Sequence, residues 1–159
     1  MIWYKDWVFY LIVGAVFIFD QISKEFIRLW MPLGDSWPST GFLRIVHGTN
    51  TGSALGLFAG FTNLLILASI LGIAAVLYYF YRQGNNAIAL RISLGLIVGG
   101  ALGNLFDRVV FGKVVDFISV GWWPSFNIAD SAISVGMFLL IFTMIFGERL
   151  GWTEQTQKM

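Results

Sequence analysis

The sequence contains no cysteine, one histidine (His47) and few charged residues. Without cysteine, the chain cannot form a disulfide, a thiolate metal site or a cysteine nucleophile, and its redox compartment stays open. With one histidine it cannot build a site from several histidines. Only 12% of the residues are charged, against about 25% in ordinary soluble domains. The net charge of +1 provides no basic surface for nucleic acid, so we expect no nucleic-acid partner.

The hydrophobic residues, 57% of the chain, fall into four blocks. Each block is long enough to cross a membrane as an α-helix, which takes about 20 residues. We predict membrane helices over residues 7–27, 63–81, 87–107 and 127–147. The first block has the length of a signal-peptide core, but no small-residue cleavage site follows it, so we predict a retained helix.

The segment between the first two helices, residues 28–62, contains glycine, proline and the alternating run FLRIVHG. This pattern predicts a small cap that contains strands. We therefore predict an all-α integral membrane protein with this cap outside the membrane, and a single polytopic domain over residues 1–159.

The distribution of basic residues gives the orientation. The side of the termini carries Lys5, Arg82, Arg91, Arg149 and Lys158. The opposite side carries as many, Lys24, Arg28, Arg44, Arg108 and Lys113, but these lie beside acids or in polar clusters. The positive-inside rule then predicts that both termini are cytoplasmic and that the polar clusters face outward.

Ionisable residues are costly inside a membrane, so each one calls for a partner or a function. The first helix ends in FDQISK, which puts Asp20, Ser23 and Lys24 on one face. A structural interpretation is an ion pair with Lys24 extending to water. A Ser–Lys catalytic dyad is disfavoured because neighbouring helical residues do not face each other.

The third helix ends in GGALGNLFDR. Gly100, Gly103 and Asp107 share a face, and the glycines would let a second helix approach closely. Packing explains the glycines, but it explains less well why Asn104, Asp107 and Arg108 stand together.

Two further acids flank the start of the fourth helix. Asp116 lies in VVDF, which we assign to a loop, and Asp130 lies in FNIAD. Asp130 falls in the first helical turn, where the helix dipole favours an anion. Asn127, Asp130, Ser131 and Ser134 form one polar stripe. A loop acid and a helix-start acid are ordinary features, yet polar groups from four parts of the chain converge on the same membrane face.

Other functions remain open at this point. NTGSALG, residues 50–56, is either a simple turn or part of a serine protease with Ser53 as nucleophile and His47 as base. A transporter would use acids as a proton relay, but here they crowd one end of the helices. A structural scaffold leaves the convergent polar residues unexplained. A metal site on Asp116, Asp130 and Asp107 is a further alternative.

The motifs DQISK, NTGSALG, GGALGNLFDR, VVDF and FNIAD occur in this order between four predicted membrane helices. In this the chain resembles bacterial lipoprotein signal peptidase, also called signal peptidase II. The resemblance implies an aspartic endopeptidase of the bacterial inner membrane that needs no metal or cofactor. It implies cleavage of prolipoproteins before a diacylglyceryl-modified cysteine, among membrane lipids, and inhibition by globomycin-type antibiotics.

The resemblance also implies roles for single residues. The catalytic pair is Asp116 and Asp130. Substrate-binding or supporting roles fall on residues of the same motifs: Asp20, Lys24, Asn50, Gly52, Asn104, Asp107, Arg108, Asn127 and Ala129. Two close carboxylates share one proton. The ionised one would then activate water while the protonated one polarises the scissile carbonyl.

Overall fold

A computed structural model of the chain describes residues 6–52, 61–83 and 88–147. The four long helices are α1 (Trp7–Trp30), α2 (Thr62–Gln83), α3 (Ile88–Phe111) and α4 (Ile128–Phe146). Within the described residues, these four are long and apolar enough to cross a membrane. The predicted helices are confirmed, but α1 and α3 run about one turn further than residues 27 and 107. Their backbone hydrogen bonds continue past the point where the sequence turns polar.

Helix α3 is central and packs against the other three helices. Two of its glycines make the contact with α4 and α1 possible. A Cβ on Gly100 would clash with the Ala129 carbonyl oxygen, and one on Gly103 would lie 2.5 Å from Asp20 Oδ2. The predicted close approach at the glycine face is confirmed, and it brings the polar ends of three helices together.

The cap, residues 28–62, supplies two strands of a four-stranded antiparallel sheet, and the connection between α3 and α4 supplies the other two. The strands of the sheet follow chain order: β1 (Ser36–Trp37), β2 (Leu43–Asn50), β3 (Val114–Val120) and β4 (Trp123–Phe126). The predicted strand content of residues 28–62 is confirmed by β1 and β2. The assignment of Asp116 to a loop is wrong, because Asp116 lies in the middle of β3, opposite Gly48 of β2.

The sheet lies where α1 and α3 end and α4 begins, and we call this the sheet end of the bundle. Side chains alternate between the two faces of a strand. One face of β3 carries Val115 and Phe117, which pack against Ile27 of α1. The other face carries Asp116, which contacts Asn127 at the start of α4. At the opposite end of the bundle, Asp6 and Arg91 form an ion pair of 2.8 Å.

Candidate active site

Helix α4 begins with a reciprocal capping arrangement. Asn127 is the N-cap, and its side-chain Oδ1 accepts from the Asp130 backbone N–H at 2.9 Å. Asp130 Oδ2 in turn accepts from the Asn127 backbone N–H at 3.2 Å. The predicted helix-start role of Asp130 is therefore confirmed. Its second oxygen, Oδ1, accepts from Asn104 Nδ2 at 2.8 Å, and the residue stays partly exposed.

Asp116 is more deeply buried, with 4% of its surface exposed. Its Oδ1 accepts from Asn127 Nδ2 at 2.9 Å, and its Oδ2 accepts from Asn50 Nδ2 at 3.1 Å. Burial, followed by the negative charge of Asp130, raises the pKa of Asp116 to about 6. The hydrogen bonds from the two asparagines oppose this rise without cancelling it. Asp116 is therefore the carboxyl that holds a proton more readily than an ordinary aspartate.

Asn127 contacts both carboxylates at once. Its side-chain amide donates to Asp116, and its backbone N–H donates to Asp130. Asn50 approaches Asp116 from β2, and its own Oδ1 accepts from the Gly52 N–H at 2.7 Å. The motifs FNIAD, VVDF and NTG are therefore joined by direct hydrogen bonds around the two acids.

Lys24 forms a buried network behind the pair. Its side chain is fully buried, and its Nζ contacts Asp20 Oδ2 at 2.7 Å, Asn104 Oδ1 at 3.0 Å and Asp107 Oδ2 at 3.1 Å. An ammonium group has three donors, so these three oxygens satisfy it. The predicted ion pair of Lys24 with Asp20 is confirmed, but the side chain does not extend to water, because it is buried against Asn104 and Asp107 of α3.

Each of the two acids in this network also binds a group other than Lys24. Asp20 Oδ1 accepts from the Ala129 N–H at 2.9 Å, one residue before Asp130. Asp107 Oδ1 accepts from Arg28 Nη2 at 3.1 Å. Sequence reasoning did not assign Arg28 to the site. The available signal was its spacing of four residues from Lys24 on the same helix face.

Arg108 links the polar end of α3 to the NTG turn. Its Nη2 donates to the Gly52 carbonyl at 3.2 Å, and its Nη1 lies 3.4 Å from the Asn104 carbonyl. Its buried Nε has no partner among the described residues. The guanidinium also lies within electrostatic reach of Asp130, Asp116 and Asp107. All the predicted site residues thus lie in one connected region.

The serines of the predicted polar faces take no part in it. The hydroxyls of Ser23, Ser131 and Ser134 donate to carbonyls of their own helices at 2.8, 3.0 and 2.8 Å. Such bonds satisfy a helical serine locally. The stripe on α4 therefore divides into two site residues, Asn127 and Asp130, and two residues bonded to their own backbone.

The alternative sites receive no support from the geometry. His47 lines a pocket with Thr49 and Val115 on the sheet face away from Asp116, and its Nδ1 lies 2.6 Å from the Met31 carbonyl. Its suggested partner Ser53 lies outside the described residues. Across residues 6–52, 61–83 and 88–147, no group of three His, Cys, Asp or Glu side chains could hold a metal ion.

An apolar groove of about 460 Å³ leads to Asp130. It runs between α2, α3 and α4, and residues such as Leu65, Gly72 and Ile133 line it. Its polar lining includes Asn104, Arg108 and Asp130. The partly exposed carboxylate of Asp130 thus faces a groove that suits an extended apolar segment, while Asp116 is covered by the sheet.

The chain is similar to known proteins over most of its length. The family model described as signal peptidase (SPase) II matches residues 12–146. A lipoprotein signal peptidase of Dehalococcoides mccartyi is 43% identical over 142 residues, which span 87% of this chain and 89% of the relative. One from Staphylococcus aureus is 36% identical over 140 residues, 85% of this chain and 86% of the relative.

Two solved structures are similar to the chain in fold. A bacterial membrane enzyme determined by the in meso method at 2.3 Å resolution is 32% identical and superimposes with a TM-score of 0.84. The match covers 98% of this chain and 95% of that one. A second such enzyme, determined at 1.9 Å, is 35% identical with a TM-score of 0.80, over 89% of this chain and 94% of that one.

Proposed function

The chain belongs to the signal peptidase II family, and we propose that its Asp116–Asp130 pair hydrolyses the signal-peptide bond of prolipoproteins. It is a membrane protein and a protease of the aspartic class, and its relatives are lipoprotein signal peptidases. The observation that carries the catalytic assignment is Asn127, which binds a buried and a partly exposed carboxylate together at the polar end of an apolar groove.

In the proposed mechanism the pair holds one proton, and at rest Asp116 carries it. Its raised pKa supports this assignment. Asp130 is the anion, because two N–H groups and the start of α4 stabilise negative charge there. Asp130 takes a proton from water, whose oxygen attacks the scissile carbonyl carbon. Asp116 gives its proton to the carbonyl oxygen, which yields a gem-diol. As the C–N bond breaks, Asp130 passes its proton to the leaving amine and one gem-diol hydroxyl returns a proton to Asp116.

The charges around the pair favour the singly protonated state. Three acids, Asp20, Asp107 and Asp130, stand with three bases, Lys24, Arg28 and Arg108. With a proton on Asp116, and with the exposed Glu25 that also pairs with Arg28 left out of the count, the region is electrically balanced. Ionising Asp116 would add an uncompensated negative charge in a poorly solvated place, which is unfavourable.

The substrate assignment follows from the groove. We propose that the apolar part of the signal peptide lies between α2, α3 and α4 and that its scissile bond reaches Asp130 at the sheet end. The diacylglyceryl-modified cysteine would follow the cleaved bond, with its acyl chains kept in the surrounding lipid. Globomycin-type inhibitors would occupy the same groove. The enzyme would lie in the bacterial cytoplasmic membrane with both termini cytoplasmic and the sheet end at the outer face.

The test is cleavage of a diacylglyceryl-modified prolipoprotein by the purified protein in detergent. We expect Asp116→Asn and Asp130→Asn each to lower the cleavage rate by about 10³-fold or more, since each removes one acid–base step. Asp35→Asn is the matched control, because Asp35 is an exposed acid in the cap outside the site. Undiminished cleavage by a folded Asp130→Asn protein would contradict the mechanism, and loss of cleavage on adding EDTA would favour a metal enzyme.

A further inference from the structure

A second pocket lies on the other face of the sheet. It has a volume of about 270 Å³ and sits where α1 and α3 end. Two cations, Arg28 and Lys113, line it together with the polar His47 and Thr49. Among the described residues, no acid lines this pocket. Its chemistry therefore suits an anion and differs from that of the Asp116–Asp130 pair.

Both cations can accept a new partner. Lys113 is exposed and makes no ion pair within the described part of the chain. Arg28 holds the buried Asp107 through Nη2, but its Nη1 pairs with Glu25, whose side chain is 55% exposed. An ion pair with an exposed partner contributes little to protein stability. A phosphate oxyanion in the pocket can therefore take the place of Glu25 without disturbing Asp107.

A continuous row of aromatic rings leads from this pocket into the membrane. The Arg28 guanidinium lies 4.2 Å from the centre of the Phe111 ring. The Phe111 ring is 6.3 Å from that of Phe106, which is 5.8 Å from that of Phe17. Phe106 and Phe17 both line a wholly apolar groove of about 470 Å³ between α1 and α3, beside Gly14.

The spacing of the pocket and the groove fits a single lipid molecule. Arg28 and Phe17 are eleven residues apart on α1, which at 1.5 Å per residue is about 16 Å along the helix. One leaflet contributes half of the hydrocarbon core, about 15 Å. We propose that this face binds one phospholipid, whose phosphate lies between Arg28 and Lys113 and whose acyl chain fills the groove beside Gly14.

The occupant is defined by both parts of this face. The two cations favour a phosphate, and the apolar groove favours an acyl chain. This groove lies between α1 and α3, and Asp130 does not line it. The proposed lipid site is thus separate from the proposed signal-peptide groove, and it depends only on the chain being a membrane protein.

Native mass spectrometry of the delipidated protein in detergent tests the site with four probes. We expect phosphatidylglycerol to bind one-to-one and phosphatidylcholine, which is zwitterionic, to bind more weakly. Diacylglycerol, which lacks the phosphate, and inorganic phosphate, which lacks the chains, should bind least. Equal binding of diacylglycerol and phosphatidylglycerol would overturn the phosphate contact. If inorganic phosphate displaced bound phosphatidylglycerol as effectively as free phosphatidylglycerol does, the pocket would be a simple anion site and the lipid assignment would be overturned.

Three variants locate the bound lipid. We expect Lys113→Gln to weaken phosphatidylglycerol binding about fivefold, as for one basic residue near an anionic lipid. Gly14→Leu should also weaken it, because nothing lies within 4 Å of a Cβ at this position and the side chain can fill the groove. Glu25→Gln should strengthen it by removing the competing acid.

The matched control is Arg82→Gln, which removes an exposed cation at the far end of α2 and changes the net charge by the same amount as Lys113→Gln. It should leave lipid binding unchanged. If Arg82→Gln weakens binding as much as Lys113→Gln does, the lipid responds to overall charge and the site is overturned. Unchanged binding in both Lys113→Gln and Gly14→Leu would overturn it as well.

Discussion

At the scale of single residues, Asn127 combines two tasks that can be separated. Its side-chain oxygen caps α4, and its side-chain nitrogen donates to Asp116. A serine at an N-cap can replace the first task but cannot supply an amide donor. The position therefore allows a structural effect to be distinguished from a catalytic one.

We expect Asn127→Ala to lower the free energy of unfolding by about 1 kcal/mol through loss of the cap and also to reduce peptide cleavage. Asn127→Ser should restore most of the stability while cleavage stays low, because Asp116 still lacks its donor. Thermal unfolding in detergent and the rate of prolipoprotein cleavage, measured on the same preparations, check both. Recovery of cleavage in Asn127→Ser would show that Asn127 acts only as a cap.

The raised pKa of Asp116 predicts how activity depends on pH. The pair works with one proton, and burial together with the Asp130 charge holds that proton on Asp116 up to about pH 6. We expect kcat/KM to fall as the pH rises through this value, because the doubly ionised pair has no proton to donate. In kcat the same decline should lie at higher pH, since a bound peptide excludes more water from Asp116. A kcat/KM profile that is flat from pH 5 to 8 would contradict this assignment.

The same proton should appear in the stability of the protein. An unfolded aspartate ionises near 3.8, below the folded value of about 6. The folded state therefore binds more protons between these two values, and its stability falls as the pH rises through them. Above pH 6 the protonation of Asp116 no longer favours folding, and the free energy of unfolding is lower than in acid by about 3 kcal/mol. Asp116→Asn should lack this part of the pH dependence and so provides the control.

Sequence reasoning found both aspartates but not what distinguishes them. FNIAD indicates a helix start, and the capping contacts between Asn127 and Asp130 are only three residues apart, so the sequence predicts them. The burial of Asp116 depends on the pairing of β3 with β2, and its donor Asn50 is 66 residues away in the sequence. Lys24 illustrates the same limit, since its partner Asn104 lies on α3, 80 residues away in the sequence.

At the scale of elements, α3 organises the site because its glycines admit the neighbouring helices. Asn104 can reach Asp130, and Asp107 can reach Lys24, only while the backbones stay this close. A side chain at Gly100 would be forced into the backbone of α4 at Ala129. Backbone cannot move aside as a flexible side chain can. A side chain at Gly100 would therefore push α3 and α4 apart.

We expect Gly100→Ala to destabilise the protein by about 1–3 kcal/mol, as overpacking does elsewhere, and to lower cleavage by separating Asn104 from Asp130. Gly14→Ala is the matched control, because its Cβ meets open space and alanine is the better helix former by about 1 kcal/mol. Its thermal midpoint should stay the same or rise. A Gly100→Ala protein as stable and active as the wild type would show that α3 and α4 do not approach this closely at Ala129.

The elements differ in how well the sequence predicts them. The four helices follow from long apolar blocks, and their predicted ends are within about a turn of those observed. β3 was missed because VVDFISV is buried on both faces and so lacks the alternation by which a half-buried strand is recognised. Its content of valine and isoleucine was the available signal.

At the scale of the whole molecule, α3 separates two apolar grooves with different ends. The groove between α2, α3 and α4 reaches Asp130, and the groove between α1 and α3 leads toward Arg28 and Lys113. Because one groove ends at a carboxylate and the other leads toward two cations, we propose the signal peptide for the first and a phospholipid for the second. Neither groove is visible in the sequence, because their walls come from helices up to about a hundred residues apart.

The final prediction concerns the groove proposed for the signal peptide. Gly72 of α2 lines it, and a Cβ at this position would have nothing within 4 Å. We expect Gly72→Leu to fold normally and to fill the space that the apolar part of the signal peptide needs. KM for a prolipoprotein should rise about tenfold or more, the effect of losing at least 1.4 kcal/mol of binding, while the pH dependence of kcat/KM keeps its shape.

The control is Ala74→Leu, which adds an apolar side chain to an exposed position on the opposite side of α2, outside the groove lining. Its KM should match that of the wild type. Because neither substitution touches Asp116, Asp130 or Asn127, a rise in KM for Gly72→Leu alone measures occupancy of the groove and not damage to the pair. Equal KM values for the two variants would place the signal peptide elsewhere on the molecule while leaving the catalytic assignment intact.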